Sequence, residues 1–181
     1  MNSRAESTRR LFFALTPPEE VRARLVRAAD ALPLGTAARR VAPERYHLTV
    51  AFAGSVDAAL WSAVQCVGAR QRAKRFEFTL AAYEYWPKPE VVVAAARQIP
   101  TALEGLWRAL HEELAALGLA LDPKRLRPHV TLARQVAEEP RLPAMAALAW
   151  RADSFSLMRS ETGDTGPIYT VLDTWPLLDE E

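Results

Sequence analysis

The chain has 181 residues, 50% of them hydrophobic and 25% charged, with 23 basic against 22 acidic side chains. This suits one domain or two small lobes sharing a core, and it excludes disordered and fibrous chains. A formal charge of +1 is far below that of proteins that coat long duplexes, so any nucleic acid is met at a small local site.

One cysteine, Cys66, excludes an internal disulfide, and no apolar run reaches the length of a membrane span. The apolar run Leu11 to Leu15 is too short for a signal-peptide core and meets Pro17-Pro18 directly. A cytoplasmic protein is expected. The excess of arginine (20) over lysine (3) reads as coding bias.

Leu11 to Leu15 is predicted to be a short buried strand. Pro17-Pro18-Glu19-Glu20 opens a helix that runs to about Leu32, with proline and acids in its first turn. Val41 to Phe52 is strand-like and Gly54 is expected to stop it; Ser55 or Asp57 then caps a helix to Arg70. Phe76 to Tyr85 and Val91 to Ala96 read as two strands joined at Pro87-Lys88-Pro89. Pro100-Thr101 opens a helix to Leu117, with Leu103, Leu106, Trp107, Leu110 and Leu114 at helical spacing and Gly118 closing it. Leu126 to Arg134 resembles Val41 to Phe52. A weak helix is expected near Pro140 to Leu148, and Phe155 to Met158 and Ile168 to Trp175 supply the last strands, separated by the loop Ser160 to Gly166. The order of elements repeats in the two halves with no linker between them. Residues 1–181 are therefore expected to form a single α+β domain of two related lobes.

Two of the three histidines sit in nearly the same local text: Tyr46-His47-Leu48-Thr49-Val50 and Pro128-His129-Val130-Thr131-Leu132. Threonine is 11 of 181 residues, so the coincidence has a chance probability of roughly 1%. On a strand, side chains at i and i+2 share a face, so each motif buries an apolar row and presents one imidazole beside one hydroxyl. If the lobes face each other, two such pairs meet across a cleft. That arrangement suits in-line displacement at phosphorus, where one group takes a proton while another, across the site, gives one. The hydroxyls can donate to the non-bridging oxygens. Nothing here requires a metal or a cofactor, and three histidines and one cysteine at these spacings make no zinc set. His111, in a predicted helix without a hydroxyl partner, reads as a surface or half-buried residue.

The stretches Arg10 to Leu15, Pro43 to Gly54, Arg127 to Arg134, and Tyr169 to Leu172 with Trp175-Pro176-Leu177 resemble the two-histidine (2H) phosphoesterase superfamily. Within it they are most similar to the RNA 2′,3′-cyclic phosphodiesterases once called 2′-5′ RNA ligases. The resemblance implies a bilobal, pseudo-symmetric α+β fold, with two antiparallel sheets facing a central cleft and helices outside. The N-terminal part carries the first motif, at 47–50, and the C-terminal part the second, at 129–132. It implies hydrolysis of a terminal 2′,3′-cyclic phosphate to a 2′-phosphomonoester, with His47 as proton donor, His129 as proton acceptor, and Thr49 and Thr131 on the phosphate. The chain departs from the family at Arg39-Arg40, where an Arg-Trp pair is usual, and at Ala53 and Leu126, where Leu and Phe are common.

Arg134, five residues after His129, faces away on a regular strand unless a bulge brings it back; the resemblance places it near the phosphate. Arg127 and Arg45, each two before a histidine, are candidate anion binders. Phe12, Tyr46, Trp86 and Tyr169 are candidate platforms for a base, while Trp61 and Trp107 are assigned to the core. The expected partners are RNA ends or nucleotides bearing a 2′,3′-cyclic phosphate, with no membrane and no metal, and nothing in the sequence demands more than a monomer. Three alternatives stand beside this reading: 2′-5′ ligation, a phosphodiesterase acting on another small cyclic phosphate or 2′-5′ oligonucleotide, and a catalytically silent RNA-end binding module.

Overall fold

A computed structural model describes residues 8–164 and 166–179. Among these residues nine strands and three α-helices follow one another in the order β1 (Thr8–Leu15), α1 (Glu19–Asp30), β2 (Arg39–Arg40), β3 (Leu48–Asp57), α2 (Trp61–Arg70), β4 (Phe76–Trp86), β5 (Val91–Ala96), α3 (Thr101–Ala116), β6 (His129–Arg134), β7 (Leu148–Ala152), β8 (Ser154–Gly163) and β9 (Gly166–Pro176). They form a four-stranded sheet, β3-β1-β8-β9, and a five-stranded sheet, β2-β6-β5-β4-β7, with every pair antiparallel. This is the α+β class expected. Among the described residues no helix is long and apolar enough to cross a membrane.

The central strands are apolar on both faces, and the two faces do different work. In β1, Leu11, Phe13 and Leu15 enter the main core, while Phe12 and Ala14 pack with Met158 and Tyr169 on the opposite face. In β5, Val92 and Ala94 enter the main core, while Val91, Val93 and Ala95 pack with Trp86 on the other side. One face of each sheet thus joins the helices in a common apolar cluster, and the other lines the cleft. The continuous apolar runs at Leu11 to Leu15 and Val91 to Ala96 are the trace of burial on both sides.

Several boundaries differ from expectation, each for a local reason. The strand predicted from Val41 begins only at Leu48, because Pro43–Arg45 form a 3₁₀ turn. It does not stop at Gly54. That glycine takes φ 78° where β3 bulges against β1, and the strand continues to Asp57. Neither Ser55 nor Asp57 caps α2: a 3₁₀ turn at Ala58–Leu60 intervenes, and Asp57 makes no side-chain capping bond. Residues 140–147 are not helical, consistent with Pro140 and Pro143, and they lead into β7, which the sequence reading missed. The expected loop Ser160 to Gly166 is mostly hairpin, with Gly163 paired to Gly166.

α2 lies so close to β9 that a Cβ on Gly68 would sit 2.3 Å from the Trp175 ring. Alanine gains about 1 kcal/mol of helix propensity over glycine, but overpacking against a rigid indole costs about 1–3 kcal/mol. The second effect is the larger. Gly68→Ala is expected to lower the midpoint of chemical denaturation, and a raised midpoint would show that α2 can shift away from Trp175.

Candidate active site

The two motif strands come from different sheets and touch each other, β3 at an edge of the first and β6 beside the short β2 in the second. His47 immediately precedes β3 and His129 opens β6. In both motifs the apolar partners are buried: Leu48 and Val50, and Val130 and Leu132. The histidines and threonines are half-buried on the cleft side. The alternation read from the sequence is what the strands show.

Each imidazole is held in the same way. His47 Nδ1 donates to the Arg45 carbonyl at 2.8 Å, and His129 Nδ1 donates to the Arg127 carbonyl at 2.6 Å. This bond fixes the tautomer and leaves Nε2 available to take or give a proton. Behind His47 stand Phe12 and Tyr169, with ring centroids at 5.1 and 4.8 Å. Behind His129 stands Trp86, at 4.5 Å.

Matching bulges follow the two motifs. Thr49 pairs with Ala14 and Ala51 with Phe13, so Val50 is the extra residue in β3; Thr131 pairs with Val93 and Ala133 with Val92, so Leu132 is the extra residue in β6. An extra residue reverses the alternation downstream. Arg134 therefore returns to the face of His129 and Thr131, and Phe52, five residues after His47, returns to the face of Thr49. Arg134 and Phe52 are equivalent positions in the two motifs.

Two cavities open beside these groups. His47 and Thr131 line one of about 650 Å³ with Arg39, Arg45, Arg134 and Tyr169. Thr49 and His129 line the other, of about 660 Å³, with Phe52, Trp86, Trp107 and Arg127. Each cavity thus receives the histidine of one motif and the threonine of the other. One is rich in arginine, the other in aromatic rings.

Burial is the main reason both imidazoles lose their protons more readily than usual. At His47 the charges of Arg134 and His129 add to that effect, against the bond to the Arg45 carbonyl. At His129 the bond to the Arg127 carbonyl opposes burial, the charges of Arg127 and Arg134 reinforce it, and Glu84 opposes it.

The structure relocates several candidates. Phe12 is 1% exposed and Tyr46 4%, so neither can carry a base. Phe12 instead backs His47, and burial pushes the Tyr46 phenol up to about 12. Arg127 is engaged, its Nη2 donating to Glu84 Oε2 at 2.7 Å. Arg45 sits against the β8–β9 turn: a Cβ on Gly166, which takes φ 117°, would lie 2.8 Å from its Nη1. Trp107 packs against the main core, as expected, but stays half-buried and also walls a cavity, 4.9 Å from the His111 ring. Trp61 is half-buried beneath the Arg9 guanidinium. Arg40 reaches the cavity wall, but its guanidinium binds the carbonyls of Ala29 and Leu32 at the end of α1. Sequence reasoning missed Phe52, whose signal is the shared offset with Arg134. It also missed Glu84, which carries no motif.

Two sheets that each deliver a His-x-Thr strand to one cleft define a two-histidine phosphoesterase fold, and solved structures agree. Escherichia coli LigT complexed with 3′-AMP superposes with a TM-score of 0.87 at 30% identity, covering 94% of this chain and 98% of that one. A protein described as a phosphoesterase superposes at 0.88, with 30% identity over the same shares. Two relatives, each called RNA 2′,3′-cyclic phosphodiesterase, share sequence over most of their length. The protein from Thermus thermophilus is 34% identical, covering 94% of this chain and 91% of its own; that from Escherichia coli is 32% identical, covering 93% and 96%. The chain belongs to the 2′-5′ RNA ligase superfamily, whose model matches residues 17–164.

The electrostatics make one direct prediction. In the free protein both motif imidazoles should titrate below the ordinary value near ~6.5, and added inorganic phosphate should raise both midpoints. NMR of the histidine ring carbons reads this; a midpoint at or above the ordinary value, or one indifferent to phosphate, would contradict it.

Proposed function

We propose that the protein is an RNA 2′,3′-cyclic phosphodiesterase that hydrolyses a terminal cyclic phosphate to a 2′-phosphomonoester. The observation that carries the reading is the pair of imidazoles from different sheets, each tied at Nδ1 to a backbone carbonyl and each beside the threonine of the other motif. The names of the relatives point the same way. The exposed, unpaired Cys66 suits the reducing cytoplasm.

The reaction follows from the geometry. His129 Nε2 takes a proton from water as the water oxygen bonds to phosphorus. The P–O3′ bond breaks on the opposite side, and O3′ takes the proton from His47 Nε2. The product is a 2′-phosphate with a free 3′-hydroxyl, and the two imidazoles have exchanged protonation states. Thr49 and Thr131 donate to the non-bridging oxygens, where negative charge persists through the transition state. Arg134 balances that charge from the second motif.

The active state has His129 neutral and His47 protonated. Activity is lost on the acid side as His129 protonates and on the alkaline side as His47 deprotonates. Since both groups hold protons more weakly than usual, kcat/KM should follow a bell with its apex on the acid side of neutrality. The enzyme assay uses a nucleoside or oligonucleotide 2′,3′-cyclic phosphate with EDTA present. We expect undiminished turnover, a 2′-phosphate as the product isomer, and a loss of at least ~10² in rate for His47→Ala and for His129→Ala. A 3′-phosphate product, or variants that turn over like the parent, would overturn the assignment. Binding without turnover by the parent would favour an RNA-end binding module.

A further inference from the structure

Glu84, near the end of β4, closes a ring of contacts around His129 without lining either cavity. Its Oε2 accepts the Trp86 Nε1–H at 2.8 Å and the Arg127 Nη2–H at 2.7 Å. The Trp86 ring lies 4.5 Å from the His129 ring, and the Arg127 guanidinium stands over the same indole at 4.4 Å. The Arg127 carbonyl in turn accepts the His129 Nδ1–H at 2.6 Å. The chain of contacts runs from carboxylate to indole to imidazole to arginine and back. His47 is flanked instead by Phe12 and Tyr169.

We propose that Glu84 is a positioning residue for the second histidine: it holds the Trp86 indole against the imidazole and keeps the Arg127 guanidinium on the cavity wall. The proposal deepens the function above and rests on His129 as the base. When His129 takes the proton from water, a positive charge develops beside Arg127, and the Glu84 carboxylate offsets the repulsion. Other charges face this ring too: Arg134 from its own strand, His47 from the opposite sheet, and Lys88, His111, Asp122, Lys124 and Arg125 around the cavity. The side chains of Arg127 and Glu84 are 64% and 38% exposed. A pair so exposed contributes little to stability, so an effect on the reaction can be read apart from folding.

The test compares E84Q and W86F with the parent on a nucleoside 2′,3′-cyclic phosphate. E84Q keeps the shape and an oxygen for the indole but loses the charge. It should melt with the parent and lose roughly three- to tenfold in kcat. With Arg127 unopposed His129 binds its proton less tightly, so the acidic limb of kcat/KM should move to lower pH, and KM should not rise. W86F keeps an aromatic ring and the carboxylate but loses the donated hydrogen bond; it should lower kcat by less and leave the acidic limb in place. Parental kcat and an unmoved limb in E84Q would overturn the proposal, as would a raised KM with kcat unchanged. Parental kcat in W86F would overturn the orienting role of the indole. The His129 ring titration of E84Q, followed by NMR without substrate, must shift down. An unmoved midpoint refutes the charge role whether or not the parent turns over cyclic phosphate, whereas an inactive parent refutes only the phosphodiesterase reading.

Discussion

The hydrogen bond from each imidazole Nδ1 to the carbonyl two residues earlier governs the rest of the site. A histidine ring has two nitrogens and free rotation about two bonds. Tying one nitrogen to the backbone removes the tautomer choice and most of the rotation together. It also commits the surroundings: the ring must sit at a strand's beginning with apolar neighbours turned into the core, and it is largely withdrawn from water. A ring withdrawn in this way sheds its proton easily, especially with arginines nearby. An anion bound between the two rings would supply what the protein withholds, because its negative charge favours the imidazolium form. In the proposed reaction the substrate thus completes the charge balance of its own site.

The two halves repeat a backbone but not a chemistry. Bulges at Val50 and Leu132 bring Phe52 and Arg134 to equivalent places, and the pair could hardly be less alike. One cavity gathers guanidinium groups and the other gathers rings. A nucleoside phosphate has a charged phosphate at one end and a flat base at the other, so a symmetric cleft would have no means of telling one direction of binding from the other. The unlike residues at symmetric positions give the cleft a direction. The rings beside the two histidines differ as well, Phe12 and Tyr169 at His47 and Trp86 at His129.

Much of this was legible because it rests on short-range periodicity. The histidine and threonine spacing gave the shared face, the apolar runs gave β1 and β5, and the leucines of α3 fall where helical spacing puts them. Phe12 misled because a two-faced strand buries an aromatic as readily beneath a histidine as in the core. Trp107 was half legible: helical spacing puts it against the core, but spacing does not tell whether a neighbouring element covers the rest of the ring, which walls a cavity. β7 was hidden by the prolines before it and by its length of only five residues. Bulges depend on cross-strand pairing and leave little local trace, although the need for one at Arg134 could be stated. Glu84 is invisible in the sequence because its significance comes from Trp86 and Arg127, one beside it in the chain and the other far along it.

The bulge at Leu132 makes the match between residue count and strand pairing a functional quantity. Were that residue deleted, β6 could still pair with β5 along its whole course, and the core would lose only one leucine. Ala133 would stay opposite Val92 on the core face and Arg134 opposite Val91 on the cleft face, whereas a strand that kept Leu132 in plain alternation would turn Arg134 away. Homologues can therefore lose the bulge and its residue together and keep a cation in the cleft, but an odd change of length without a matching change of bulge would turn that side chain to the core.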